Sequence, residues 1–431
     1  MSFPAYPEYK DSGVPWLGRV PAHWEVTRLK LASDIFPSNV DKKSAEGEQP
    51  VSLCNYTDVY YNDVILAGMQ FMEATASDDQ ITKLTLRAGD VIITKDSETP
   101  DDIARSAHVP IDLPGVVCGY HLSMVRPSRR ASGGFIKRYF DAASSRAYFH
   151  VSANGLTRVG LGQYAVDNAP IALPPIDEQV AIAAFLDRET AKIDALVAEQ
   201  ERLIALLKEK RQAVISHAVT KGLNPHAPMK DSGIEWLGEI PAHWEVMALK
   251  RLGSLRSGEA ITSDQIEDQG EFPVYGGNGF RGYTTAYTHE GDYVLIGRQG
   301  ALCGNINYAH GQFWASEHAI VVNPARDYSV MWLGELLRHM NLGQHSQSAA
   351  QPGLSAEFLS NLYVPVPPIK EQDEIATLLV EKNNQSDELA NQAQAAITLL
   401  QERRAALISA AVTGKIDVRG LVDAPAEREV A

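Results

Sequence analysis

The strongest constraint on this chain is that it writes one sentence twice. "KDSGVPWLGRVPAHWEV" begins at Lys10 and "KDSGIEWLGEIPAHWEV" at Lys230, and thirteen of the seventeen positions agree. Two copies that close must fold alike, so the repeat fixes the architecture before any local propensity is considered. A second pair lies downstream. "LPPIDEQVAIAAFLD" starts at Leu173 and "VPPIKEQDEIATLLV" at Val366, and the same offset brings "EKRQAVISHAVTKG" from Glu209 onto "QERRAALISAAVTGK" from Gln401. Each half therefore has a WLG…PAHWEV lead segment, a long block, a PPI-x-EQ start and a polar–apolar stretch that ends in AVT and a glycine. The long blocks, residues 31–172 and 251–365, share no clear sequence. The framework is repeated and the inserts diverge.

The stretch after each Pro-Pro predicts a long helix. From Asp177 to Val219 there is neither proline nor glycine, and good helix formers dominate. Pro175 suits the first helical position, Asp177 and Glu178 suit the positive N-terminal end, and Gly222 suits the stop. About 43 residues at 1.5 Å each give a rod of roughly 65 Å. Its partner is expected from about Lys370 to Val412, closed by Gly414. Leu186, Ile193, Leu196, Leu203, Leu207 and Val214 form a stripe, matched by Leu379, Leu389, Ala396, Leu400 and Leu407 with Ser386 in place of Ile193. Two such stripes bury each other most simply as a coiled coil, antiparallel because the whole module is repeated about a pseudo-twofold axis. Core helices of an ordinary globular domain are the alternative.

Both inserts read as mixed α/β. In the first, Asp90–Asp96 and Gly115–Pro127 are expected strands, and 134–149 an expected helix. In the second, Tyr293–Gly300 and Gly304–Pro324 are followed by a helical pattern over 329–341. The wiring is similar beneath different sequences. The segments are then 1–30, 31–172, 173–222, 223–250, 251–365, 366–416 and a tail at 417–431.

Several function classes find no support. No run approaches the ~20 apolar residues that span a bilayer, and the start lacks a signal-peptide pattern, so a cytoplasmic protein with no membrane partner is expected. Cys54, Cys118 and Cys303 are far apart in sequence and indicate neither a disulfide framework nor a metal site. "GGNGFRG" at residues 276–282 contains GxGxxG, but "YTTAYTHEGDY" follows it; a glycine-rich turn between strands fits better than a dinucleotide fold. "TGK" at Thr413–Lys415 lacks the rest of a phosphate loop, and HExxH, CxxC and GxSxG are absent. His23 and His243 recur with the framework, which fits packing or capping. No catalytic constellation, no catalytic residue and no metal ligand is expected in this chain.

With the motifs in place, the chain closely resembles the specificity subunit of type I restriction–modification systems. WLG-x-x-PAHWEV before a variable block and LPPI-x-EQ opening a long helix, each present twice, carry the resemblance across essentially the whole chain. "GEFPVYGGNGFRGY", "LIGRQGALCG" and "WASEHAIVV" are similar to one type of recognition domain, and "ITKLTLRAGDVIITKDSET" with "GVVCGYHLSMVRPS" to another. The resemblance implies an α/β (α+β) fold: two target recognition domains, 31–172 and 251–365, separated by an antiparallel two-helix coiled coil. Each domain would read one half of a split double-stranded DNA site, and the helices would dock two methyltransferase subunits, with restriction subunits as further partners. This chain would hold no cofactor; S-adenosylmethionine, ATP and Mg would sit on the partners. A coiled-coil scaffold protein that ignores DNA remains the alternative.

Base reading needs paired donors and acceptors, chiefly Arg, Lys, Asn and Gln. In the first block the candidates are Lys95, Tyr120, His121, Arg158 and Gln163; in the second, Asn278, Arg281, Arg298, Gln299 and Gln351. Arg298, in a Gly-Arg-x-Gly turn, fits a brace of the domain as well as a base contact. The strip from Arg126 to Arg146 is rich in basic residues, and its Arg126, Arg129, Arg130 and Lys137 are candidate phosphate contacts; a solvated helix face is the other reading. The net charge of −15 is unusual for a free-standing nucleic-acid binder. It predicts weak DNA binding by the isolated chain, with partners supplying most of the phosphate neutralisation. Trp16, Trp24, Trp236 and Trp244 are expected to tie the lead segments to the scaffold.

Overall fold

The computed structural model describes residues 3–300, 302–346 and 353–421. The chain forms two compact units. One comprises residues 1–199 with 396–431, the other residues 200–395. Both are built to the same plan.

Two long helices, Ile176–Lys221 (46 residues) and Ile369–Val412 (44 residues), supply one half each to both units. The first leaves the first unit and enters the second, while the other runs back, so the two lie antiparallel. In the first unit, Leu186 and Ile193 share a core with Leu407, Ile408 and Ala411, and Arg404 Nε donates to Asp194 at 2.9 Å. In the second, Ile215, Ala218 and Val219 share a core with Ile375 and Leu379, and Arg211 reaches Asp387 at 2.6 Å. The less exposed positions on the first helix recur as Ile193, Val197, Gln200, Ile204, Leu207, Arg211 and Val214. That alternation of four and three is the 3.5-residue period of a coiled-coil seam. The expected stripe needs correction at Leu196, Leu203 and Leu389, which are exposed. A two-stranded rod buries one narrow seam, and adjacent apolar residues such as Leu196 and Val197 cannot both lie on it.

The repeated framework closes each unit. Tyr9–Asp11 pairs antiparallel with Arg19–Pro21, and Met229–Asp231 pairs with Glu239–Pro241. The next strand, Glu25–Arg28 or Glu245–Ala248, pairs with the strand just ahead of the long helix, Pro170–Leu173 or Tyr363–Val366. PPI-x-EQ then acts through its last two residues. Buried Glu178 accepts from Trp24 Nε1 at 3.1 Å and from the Tyr6 hydroxyl, and lies 2.9 Å from His23 Nε2. Glu371 accepts from Trp244 Nε1 at 3.0 Å and lies 2.8 Å from His243 Nε2. Gln179 Oε1 accepts from the Ser132 N–H at 2.8 Å, and Gln372 Oε1 from the Ser329 N–H at 3.0 Å. Those serines precede the helices Gly133–Asp141 and Val330–His339 of the two inserts. Glutamate thus anchors the lead segment to the rod, and glutamine anchors the insert.

The inserts share their wiring. In the first, an antiparallel sheet orders Ser33–Pro37, Leu122–Pro127, Val91–Thr94 and Ser106–His108; in the second, Gly253–Ser257, Ala319–Pro324, Tyr293–Gly297 and Ile306–Ala309 stand in the same order. A second sheet also matches. Gln49–Cys54 lies between parallel Val116–Cys118 and antiparallel Met72–Ala76, as Phe272–Gly276 lies between parallel Gln312–Ala315 and antiparallel Gly279–Thr284. The Gly277–Asn278 turn joins two of these strands and is followed by Gly279 at φ +94°, so the glycine-rich segment is a hairpin. The expected helix over 134–149 is two helices that break at Ala142, which is extended. Cys54 and Cys118 are register partners on parallel strands and remain free; burial pushes both thiols up. No helix among the described residues is long and apolar enough to cross a membrane.

Candidate nucleic-acid interface

In each insert, polar side chains gather where the central strand ends. In the first unit, Val91–Thr94 runs into Lys95 and Asp96, and the neighbouring strand starts just after His121. The Lys95 N–H donates to the His121 carbonyl at 2.9 Å, and the Leu161 N–H donates to the Lys95 carbonyl at 2.8 Å. These two bonds bring together chain segments from three distant parts of the sequence. His121 Nδ1 lies 2.7 Å from Asp96 Oδ2, Lys95 Nζ lies 3.1 Å from the same oxygen, and Arg158 Nη1 lies 3.4 Å from His121 Nε2. Lys95 also sits 4.9 Å over the Tyr120 ring. Burial alone raises the Asp96 carboxyl, but His121 and Lys95 outweigh it and hold the group below the usual carboxylate range. A cleft of about 420 Å³ opens here, lined by Lys42, Tyr56, Tyr60, Asp96, His121 and Arg158.

The second unit repeats the arrangement with different side chains. Tyr293–Gly297 runs into Arg298 and Gln299, and the neighbouring strand starts just after His318. The Arg298 N–H donates to the His318 carbonyl at 2.8 Å, and the Leu354 N–H donates to the Arg298 carbonyl at 2.9 Å. His318 Nδ1 lies 3.2 Å from Gln299 Oε1, while Arg298 Nη1 donates to the Glu317 carbonyl at 3.4 Å. The hairpin turn closes over this group. A Cβ on Gly277 would meet the His318 carbonyl oxygen at 2.9 Å, and one on Gly276 would meet the Arg281 stem at 2.5 Å. Asn278 Oδ1 accepts from Asn305 Nδ2 at 3.5 Å.

The structure therefore gathers Lys95, Tyr120, His121 and Arg158 at one place, and Asn278, Arg281, Arg298 and Gln299 at the corresponding one. Gln163 stands apart, bonded along its own helix to Asp167 at 2.7 Å. Gln351 lies outside the described residues. The basic strip is a different matter. Arg126 forms a two-pronged bond to buried Asp90, 2.8 Å for each prong; Arg130 pairs with Glu25; and Lys137, 5% exposed, lies 2.7 Å from both Asp63 and Asp141. Three of the four expected phosphate contacts thus already neutralise carboxylates within their own unit, and Lys137 is beneath the surface. Arg129 alone of the four is exposed with none of these pairings. The tryptophans also divide. Trp24 and Trp244 are fully buried, whereas Trp16 and Trp236 are half-exposed at matching positions.

Asp96, Asn305 and His318 were not among the sequence candidates. A signal for the last was present: "YHLSMV" and "EHAIVV" each place histidine directly before a strand, and "TKD" and "GRQ" each follow one.

Residues 241–399 match the family model described as "Type I restriction modification DNA specificity domain". The specificity subunit of the type I restriction enzyme EcoprrI of Escherichia coli is 42% identical over 135 residues, 30% of this chain and only about a third, 34%, of that protein's length. A putative type I restriction enzyme MjaX specificity subunit of Methanocaldococcus jannaschii is 20% identical over 426 residues, 94% of this chain and 96% of its own. Among solved structures, a chain from the type I R-M system, determined to explain complex assembly and conformational transition, superposes with a TM-score of 0.72 at 17% identity. It covers 92% of this chain and 99% of that one, a likeness of fold. Duplicated motifs, matched wiring and these similarities converge: residues 241–399 carry a type I restriction modification DNA specificity domain, and the chain as a whole is similar in sequence and fold to type I specificity subunits.

Proposed function

We propose that this chain is the DNA sequence-specificity subunit of a type I restriction–modification complex, each insert reading one half of a bipartite site. One observation carries the reading. Two backbone frames with the same bonds present different sets of Lys, Arg, His, Gln and Asn side chains at the same strand ends. A duplicated frame suits a near-twofold ligand such as duplex DNA, and different side chains suit unlike half-sites. A 46-residue helix at 1.5 Å per residue is roughly 70 Å long.

The methyltransferase partners dock on the rod and lead segments. Exposed Leu196 and Leu399 in the first unit, Leu203, Leu206 and Leu389 in the second, and Trp16 and Trp236 are the apolar groups available to them. Chemistry belongs to those partners, which carry S-adenosylmethionine and, where restriction subunits join, ATP and Mg. This chain contributes recognition and spacing in the cytoplasm and performs no catalysis.

The test is co-expression with the methyltransferase partner and genome-wide mapping of methylated adenines. A split motif is expected, and exchanging residues 31–172 for another insert changes one half alone. Co-purification of the complex without any sequence preference would establish the scaffold alternative instead.

A further inference from the structure

The two histidines occupy equivalent places. His121 and His318 each directly precede the second strand of the sheet, and each gives its carbonyl to the residue that ends the central strand, at 2.9 and 2.8 Å. Each turns Nδ1 toward the next side chain along, Asp96 at 2.7 Å or Gln299 at 3.2 Å. The bracing at this corner is made by the backbone, which leaves the imidazoles 25% and 45% exposed. His121 also keeps a left-handed backbone, φ +71°, which costs a side-chain-bearing residue more than glycine. Backbone bracing alone does not require the His121 ring that lines the cleft.

The carboxylates around the rings differ in position. Beside His121, Asp96 Oδ2 faces Nδ1 and accepts a hydrogen bond from a proton held there, which leaves Nε2 as an acceptor; Arg158 Nη1, 3.4 Å away, approaches it as a donor. Beside His318, Glu317 Oε1 faces Nε2 at 3.4 Å, and Gln299, whose amide can turn either end to Nδ1, accommodates a proton on Nε2. The rings thus present opposite polarities.

Resting on the DNA-reading function above, we propose that His121 and His318 are matched base-reading residues, one per half-site, His121 as acceptor and His318 as donor. An acceptor in the major groove selects the amino groups of adenine or cytosine. A donor is met by guanine O6 or N7, thymine O4 or adenine N7, and disfavours cytosine.

The full complex with its methyltransferase partner tests this by adenine-methylation mapping of the wild type, His121→Ala, His318→Ala and Asp96→Asn. His121→Ala opens one position of one half-site and His318→Ala one position of the other, each with a roughly five- to 150-fold loss of discrimination. Asp96→Asn, whose amide can donate to Nδ1, moves the His121 position from an amino-bearing toward a keto-bearing base. His121→Gln, which keeps a side-chain acceptor, replaces His121→Ala if the latter fails to assemble, and retains part of the preference. A split wild-type motif left unchanged by both histidine substitutions overturns the proposal. So does a uniform loss of methylation at every position. A wild-type complex with no motif removes the DNA-reading function itself, and this assignment with it.

Discussion

Replacing Glu178 by alanine should loosen the first lead segment far more than Glu371→Ala loosens the second. Glu178 is 6% exposed and serves two buried donors, Trp24 Nε1 and the Tyr6 hydroxyl; His23, 41% exposed, can turn to water. A buried donor left without a partner costs about 1–3 kcal/mol, so the loss is about 2–6 kcal/mol. Glu371 is 19% exposed and serves one buried donor, Trp244 Nε1, beside a half-exposed His243. The position of Tyr6 is taken there by exposed His226. The same reasoning gives about 1–3 kcal/mol. Because the chain has two units, a single unfolding midpoint would blend them; native-state hydrogen exchange reads each segment separately. Every 1.4 kcal/mol is about tenfold in opening equilibrium. Peptides over 17–28 should therefore exchange at least roughly thirty-fold faster in Glu178→Ala, and those over 237–248 should accelerate less in Glu371→Ala. Glu178→Gln, which keeps one carbonyl oxygen, should recover part of the protection. Equal acceleration in the two alanine variants, or less than about threefold in Glu178→Ala, would refute the anchoring role of the motif's glutamate.

Three further outcomes follow from the packing. Lys137→Met leaves Asp63 and Asp141 without their shared ammonium and should cost the first unit about 2–3 kcal/mol by native-state hydrogen exchange, less than a fully buried pair because Asp63 is well exposed. The methylation motif should stay the same; weaker DNA binding at undiminished stability would restore a phosphate role. Gly414 and Gly222 both sit at positive φ, +72° and +75°. A Cβ on Gly414 overlaps the Pro21 ring, whereas one on Gly222 meets the movable Glu371 carboxylate at 2.9 Å. Native-state hydrogen exchange around each glycine should show Gly414→Ala losing more than about 2 kcal/mol and Gly222→Ala about 1 kcal/mol. Urea midpoints should be flat from about pH 6.5 to 8.5, above which the buried Cys54 and Cys118 thiols, pushed up by burial, begin to lose their contribution. Burial lowers His108, His289 and His339, so their contribution is present above the unfolded value and fades as pH falls below it. Asp63, held low by Lys137 and Arg404 against the opposing effect of burial, adds a second loss below about pH 4. Burial raises Tyr6, Tyr139, Tyr308 and Tyr328, and their contribution fades above about pH 10. A midpoint that falls steeply between pH 7 and 8 would contradict these signs.

The scaffold is largely legible in the sequence because it is spelled twice. Helix limits read from Pro175, Gly222 and Gly414 fall within a residue or two of the observed ends, since caps and breakers act locally. The seam is not legible at Leu196 and Leu203, because a rod of two helices leaves neighbouring apolar residues to be divided by a partner that the local sequence does not specify. The ion pairs of the basic strip are hidden for a related reason. Asp90 and Asp63, which pair with Arg126 and Lys137, lie 36 and 74 residues away in sequence, and a count of nearby charges does not include them. The gathering of Lys95, His121 and Arg158 is likewise invisible as geometry, although each residue type draws notice by its donors.

At positions 95 and 298 the structural work falls to the main chain, whose N–H and carbonyl make the same two bonds whatever side chain is attached. Lysine and arginine already alternate there without disturbing the frame. Residues that hold the shape and residues that face outward are thus chemically uncoupled at this corner. Substitution there can therefore change the chemistry that faces outward at little cost in folding stability.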